Sequence, residues 1–143
     1  MHLKYTGEIV REKRIIFSPI YVIMKKIWTS KVADKKFSEQ IRLRDGKCVR
    51  CGKTHNLTCS HFWGRNRSST RYNFDNCVTL CWMPCHITAE KEKQGWYKDF
   101  MVKRLGAKKY KELEKLAYKT VSRRDAIMEL MESLKVLEKD FNN

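Results

Sequence analysis

Two histidines, an asparagine and a run of cysteines crowd into one stretch of this chain, and all are residue types that bind metals or move protons. From Cys59 to His86 the sequence reads CSHFWGRNRSSTRYNFDNCVTLCWMPCH, with Asp75 as its one acid and Arg65, Arg67 and Arg71 between the histidines. A hydrophobic core has no use for that inventory, whereas a metal site that handles a phosphate does. All six cysteines, Cys48, Cys51, Cys59, Cys77, Cys81 and Cys85, fall within 38 consecutive residues. In a chain with no signal-peptide cleavage pattern, thiols bunched this way point to metal binding rather than to disulfides.

The spacing separates two kinds of ligand. Cys48-x2-Cys51 and Cys81-x3-Cys85 are two close pairs with 29 residues between them, an arrangement that suits one tetrahedral zinc. CVRCG reads as a knuckle, with Gly52 permitting the tight turn. The second pair is expected where the chain enters a helix, since residues four apart share a helical face. Four thiolates leave no open position, so this zinc is structural. Cys59 and Cys77 then remain as buried free thiols.

His61, Asn76 and His86 need a separate explanation. Phosphodiester hydrolysis needs a general base, a divalent cation on the phosphate and a group that fixes the tautomer of the base. His61 is the candidate base, His86 the candidate ligand of magnesium or manganese, and Asn76 the orienting group. Arg65, Arg67 and Arg71 are candidate phosphate contacts. Taken singly, each has a plainer reading. His61 can be a buried histidine bonded to backbone, His86 a helix-start residue or spare zinc ligand, and Asn76 a turn residue. His55 reads as a turn residue. Trp82 and Trp96 read as core, and Trp63 as core or as a platform for an unpaired base.

The charge is consistent with a polyanion partner. Lys plus Arg number 31 against 16 Asp plus Glu, a net charge of +15, and such an excess favours nucleic acid. Between Arg42 and Phe74 stand eight basic residues and one acid, Asp45. No apolar run reaches membrane-spanning length, so a soluble cytoplasmic protein is expected.

The elements that must position these residues follow from periodicity and punctuation. DKKFSEQIRLRDGK predicts a helix with Phe37, Ile41 and Leu43 on its apolar face, ended by Gly46. CVRCGKTHNLTCSHF predicts a knuckle followed by a strand, GRNRSST a polar loop, and RYNFDNCVTLC a returning strand or turn. PCHITAEKEKQGWYKDFMVKRLG predicts a helix from Pro84 to Gly106, followed by a second over AKKYKELEKLAYK. SRRD starts the last helix, with Ser122 as N-cap and Asp125 as its capping-box partner. Its stripe is Ile127, Leu130, Met131, Leu134, Leu137 and Phe141, which packs on the N-terminal segment or on a second copy in a homodimer. The expected fold is α+β and mostly helical, with a small zinc-stapled, treble-clef-like ββα centre. Residues 1–32 form an N-terminal segment packing on it, 33–106 the central domain and 107–143 a C-terminal helical arm.

His61, Asn76 and His86, framed by CVRCG and LCWMPCH, resemble the HNH, or ββα-metal, endonuclease family. NCVTLC matches the Asn-x3-Leu-Cys step of that family, and FSEQIRLRDGKCVRCG, SHFWGR and TRYNFDN are similar to phage recombination nucleases of the NinG or Rap type. The resemblance covers about residues 36–106. It implies a metal-dependent DNA endonuclease, in the NinG-like case one acting on branched recombination intermediates. It carries His61 over as general base and Asn76 as the brace of the base-bearing loop. His86 becomes a ligand of the catalytic ion, and Cys48, Cys51, Cys81 and Cys85 the structural zinc ligands. Ser60 stands where many members have an acidic or histidine metal ligand, and a hydroxyl is a weak substitute. The extra residue in CWMPC is a second departure. A zinc-stabilised nucleic-acid-binding protein without chemistry is the alternative reading.

Overall fold

Thr29 starts the first helix by accepting the Val32 N–H on its side-chain oxygen at 3.3 Å. The helix, α1, spans Ser30–Asp45 in a computed structural model that describes the backbone of residues 28–141 and the side chains of residues 28–135. The first 27 residues of the expected N-terminal segment, and the side chains of Leu137 and Phe141, lie outside the described residues. Gly46 ends α1 in the left-handed conformation, φ 69°, with its N–H on the Arg42 carbonyl, which a residue without Cβ adopts at little cost. Ala33, Phe37 and Ile41 form the buried face, while Leu43 is 74% exposed. Two positions beyond Ile41 is about 200° around the helix, so Leu43 does not belong to the expected apolar face.

Two strands form the centre. β1 (Leu57–His61) and β2 (Cys77–Cys81) pair antiparallel, with Leu57 opposite Cys81 and His61 opposite Cys77. The connection between them carries a short helix α2 (Ser68–Arg71) and a 3-10 turn (Phe74–Asn76), where the sequence alone reads a polar loop. Every residue of β2 is buried. Its alternation explains why: Val78 and Leu80 enter one apolar cluster with Phe62, Tyr97, Met101 and Leu113, whereas Cys77 enters a second with α1. Thr79 faces α1 as well and donates its hydroxyl to the Ile41 carbonyl at 3.2 Å.

The expected continuous helix from Pro84 to Gly106 is broken in two. α3 (Ile87–Lys91) and α4 (Lys98–Leu105) flank a kink at Gly95, whose φ of −103° and ψ of −109° are not helical. The break seats Tyr97 fully buried beneath the sheet, where its hydroxyl donates to Ser60 Oγ at 2.9 Å. α5 (Ala107–Ala117) and α6 (Arg123–Phe141) complete the chain. Ser122 caps α6 as expected, with the Asp125 N–H on Ser122 Oγ at 3.0 Å, and its hydroxyl donates to Asp125 Oδ2 at 2.7 Å where a capping box uses the backbone N–H of the cap residue.

α6 is not a free arm. Ile127, Leu130, Met131 and Leu134 pack on Ala33, Phe37 and Ile41 of α1. These four stripe residues are thus covered by their own chain, not held open for a second copy. The architecture is mostly helical around a two-stranded sheet. Among the described residues no helix is long and apolar enough to cross a membrane.

Candidate metal centre and phosphodiester site

The four expected metal-binding cysteines converge. The Sγ atoms of Cys48, Cys51, Cys81 and Cys85 lie within 4.8 Å of one another, and those of Cys51 and Cys81 are 3.7 Å apart. Sulfurs about 2.3 Å from a common ion, at tetrahedral angles, stand about 3.8 Å apart. The cluster is therefore able to hold a metal ion. The knuckle is closed by Gly52 N–H on the Cys48 carbonyl at 2.9 Å and Cys48 N–H on the Lys53 carbonyl at 2.8 Å, and Gly52 takes φ 80°. The Val49 N–H on the Thr79 carbonyl at 3.0 Å ties the knuckle to β2.

The second pair closes differently from the expectation. Cys81 is the last residue of β2 and Met83 is extended, with φ −128° and ψ 134°. Cys81 and Cys85 therefore do not share a helical face. The extra residue of CWMPC is taken up by this extended step, and only Cys85 belongs to the helical entry.

The thiols of the cluster do not ionise alike. Burial opposes ionisation of Cys48, yet the backbone N–H groups of Cys51, Cys81 and Arg50 bring its thiol down to about 6. Burial and then the neighbouring thiols Cys51, Cys81 and Cys48 push Cys85 up to about 12. Four sulfurs this close cannot all ionise without a positive ion to reverse that balance.

His61 closes β1. Its Nε2 lies 2.8 Å from the Arg71 carbonyl. A carbonyl only accepts, so Nε2 carries the proton and Nδ1 keeps its lone pair. Burial lowers the imidazole to about 4, a shift that outweighs the opposing hydrogen bond to Arg71 and is reinforced by the charge of Arg65. The ring is thus neutral at neutral pH. It packs against Phe37, with ring centroids 5.9 Å apart.

Asn76 is fully buried and braces the loop that follows His61. Its Oδ1 accepts the Trp63 N–H at 2.8 Å, and its amide donates to the Trp63 carbonyl at 2.9 Å and the Thr70 carbonyl at 3.0 Å. Thr70 precedes the residue whose carbonyl holds His61. One side chain thus fixes both ends of the loop that carries the arginines.

His86 is set by Thr58. The Thr58 hydroxyl donates to the Leu80 carbonyl at 2.9 Å, and its oxygen lies 2.8 Å from His86 Nδ1. With the one hydroxyl proton committed, Nδ1–H is the donor and Nε2 is left as the ligand atom. Burial lowers the His86 pKa, against the charge of Glu90, and Arg65 adds to the lowering.

The two imidazoles lie on opposite faces of the sheet. Thr58 and Ser60 point to the side of His86 and Tyr97, whereas Cys59 and His61 point to the side of α1. The expected single cleft is therefore not how the sheet presents them. Arg65 acts on both rings. Ser60 is excluded as an ion ligand: it is fully buried, and its Oγ accepts from Tyr97. Among the described residues, His86 belongs to no cluster of three or more metal-capable side chains. Glu90 acts on the ring through its charge, but an imidazole with fewer than two such partners makes a poor site for a hard divalent cation.

The three arginines divide. Arg65 is exposed and makes one long contact to Asp34, at 3.9 Å. Arg67 donates to the Ala117 carbonyl at 3.0 Å and lies over the rings of Trp63 and Tyr118. Arg71 is buried and committed to Asp34 through Nε at 2.9 Å and Nη2 at 2.7 Å, with Nη1 on the Arg65 carbonyl at 3.0 Å. Arg71 is thus an internal fastener, which tells against its reading as a phosphate contact, while half-buried Arg67 is tied to the end of α5 through one nitrogen. Both shape the loop that displays Arg65.

Asp34, Thr58 and Tyr97 are site residues the sequence did not reveal. Asp34 sits on α1, 37 residues before Arg71, and no local pattern marks it. Trp63 is packed between Phe62 and Tyr118. Trp96 stacks on Tyr97 and Phe100. Trp82, expected in the core, is 51% exposed and 5.2 Å from the His86 ring. Compared with known protein families, with curated proteins and with solved structures, the chain matches none.

Proposed function

We propose that this chain is a DNA endonuclease in which His61 activates the attacking water, built on a centre held by structural zinc at Cys48, Cys51, Cys81 and Cys85. The observation that supports it most directly is the 2.8 Å bond from His61 Nε2 to the Arg71 carbonyl. It leaves Nδ1 as an unprotonated base at neutral pH, which is the tautomer a proton acceptor needs. Asn76 keeps the carbonyl-bearing loop in place.

In-line displacement puts the attacking and leaving oxygens on opposite sides of phosphorus. A base from one face of the ribbon and His86 from the other would meet that requirement only for a phosphate lying beyond the end of β1, near Arg65, whose charge acts on both rings. A magnesium or manganese ion at His86 would neutralise charge on the phosphate and the departing oxygen. Its remaining ligands would have to come from water and the phosphate itself. The surplus of 15 positive charges favours DNA as partner. Branched recombination intermediates are the substrate class that the NinG resemblance implies.

The test is cleavage of duplex, single-stranded, D-loop and four-way-junction DNA with several divalent ions. Wild type should nick at least one of these, and His61→Ala should lose about 100-fold or more while keeping its metal and fold. Equal cleavage by the variant overturns the assignment. The absence of a three-ligand cluster at His86 among the described residues and the burial of Ser60 favour a second reading, a zinc-stapled nucleic-acid binder without chemistry. Calorimetry with magnesium or manganese on zinc-loaded protein, with and without DNA, separates the two. Absence of any second binding event supports the binder.

A further inference from the structure

Cys59, His61 and Cys77 form a second cluster of soft ligands, separate from the four-cysteine centre. Cys59 and His61 are two positions apart on β1, so both side chains leave the same face. Cys77 is the cross-strand partner of His61. Their ligand atoms all lie within 4.8 Å of one another. Ligands 2.0–2.3 Å from a common ion at tetrahedral angles stand about 3.3–3.8 Å apart. Closing the set therefore takes side-chain adjustments of about an ångström.

Three further features fit an ion there. The His61 Nε2–H already donates to a backbone carbonyl, so Nδ1 is the ring nitrogen with a lone pair to offer, as in metal-binding imidazoles. The surroundings are apolar, including Phe37, Ile41 and Phe74. Two thiolates and a neutral imidazole around a divalent ion carry no net charge, so burying the assembly is far less costly than burying a charged one. Sulfur and nitrogen donors select a thiophilic ion over magnesium or manganese.

The geometry points to a second metal site, in which Cys59 Sγ, Cys77 Sγ and His61 Nδ1 take one thiophilic divalent ion such as zinc. Binding releases the two thiol protons and leaves the fourth position to water. An ion there occupies the nitrogen that a general base needs. Under the nuclease reading, zinc beyond the structural equivalent therefore silences cleavage. That consequence rests on the reading, but the site does not.

The experiment is a cobalt(II) titration of reduced, metal-free full-length chain under anaerobic conditions, followed by thiolate-to-cobalt charge transfer and d–d absorption. Zinc counting after gel filtration accompanies it. Wild type should take two equivalents with two distinct spectra. Cys59→Ser, at a partly exposed position, should keep the four-thiolate spectrum and saturate at one equivalent. His61→Gln should do the same, which guards against a folding defect in either variant. Saturation of wild type at one equivalent, or two equivalents in both variants, overturns the proposal. Stoichiometry reads the same whether or not the chain cuts DNA.

Discussion

The carbonyl oxygen of Arg71 lies 2.8 Å from Nε2 of His61, while the side chain of the same arginine grips Asp34 at 2.9 and 2.7 Å. Asp34 also accepts from the Tyr72 hydroxyl at 3.1 Å. The tautomer of His61 is thus set by a backbone atom, and that atom is held in place by an ion pair reaching back to α1. Asp34 and Arg71 are positioning residues.

Arg71→Lys keeps the charge but loses the two-pronged contact to the carboxylate. We expect it to lower cleavage about tenfold or more and to blur the His61 tautomer. The nitrogen-15 shifts of the ring would then move from the Nε2–H pattern toward a mixture. Normal cleavage with an unchanged tautomer would show that the pair serves stability alone.

Burial alone would raise the Asp34 carboxyl, but the hydrogen bonds and charge of Arg71 hold it below its ordinary value of 3.8. A depressed folded value means the unfolded chain binds the proton more readily. The stabilisation is therefore full above the ordinary value and disappears as pH falls through the lower folded one. Asp34→Asn should be destabilised relative to wild type at pH 7, and the gap should narrow at acid pH. Urea unfolding at pH 7 and at about pH 3 measures both, and a gap that stays constant argues against the linkage.

Asn76→Asp replaces an amide that donates to two carbonyls with a group that only accepts. The Trp63 and Thr70 carbonyls would lose their donor and face a negative charge in a fully buried site. We expect about 3 kcal/mol or more of destabilisation, and loss of cleavage even in the population that folds. Thermal and urea unfolding give the first, and activity at low temperature the second.

Removing an ion from the proposed zinc centre should undo the centre before the periphery. For zinc-loaded protein, a chelator, or Cys81→Ser, should cost more than about 3 kcal/mol. The knuckle and β2 are joined through that cluster, whereas α1 and α6 retain their own apolar contact. Hydrogen exchange should speed up first at residues 48–53 and 77–85. Uniform loss of protection across α1 and α6 would show instead a single cooperative unit.

Trp82→Ala should leave stability within about 0.5 kcal/mol of wild type, because the indole is 51% exposed. Nucleic-acid affinity should fall by about 1–3 kcal/mol if the ring stacks on a base. Filter binding at fixed salt tests it against the packed Trp96.

The sequence by itself determined what depends on chain-local chemistry. Paired cysteines with a glycine after the second specify a knuckle. Gly46 and Ser122 mark helix ends, because caps are decided within a few residues. The apolar stripe of α6 was visible for the same reason. What the stripe packs on was not visible, since any apolar surface would satisfy it, and only the fold assigns α1. The fates of Arg67, Arg71 and Ser60 were decided by partners 50, 37 and 37 residues away. A guanidinium or hydroxyl has the same sequence signature whether it faces solvent or closes a core. The opposite-face placement of His61 and His86 likewise depends on strand register and on which element covers each side of the sheet. Those are properties of the packed chain, where a single-residue shift in pairing would exchange the two faces.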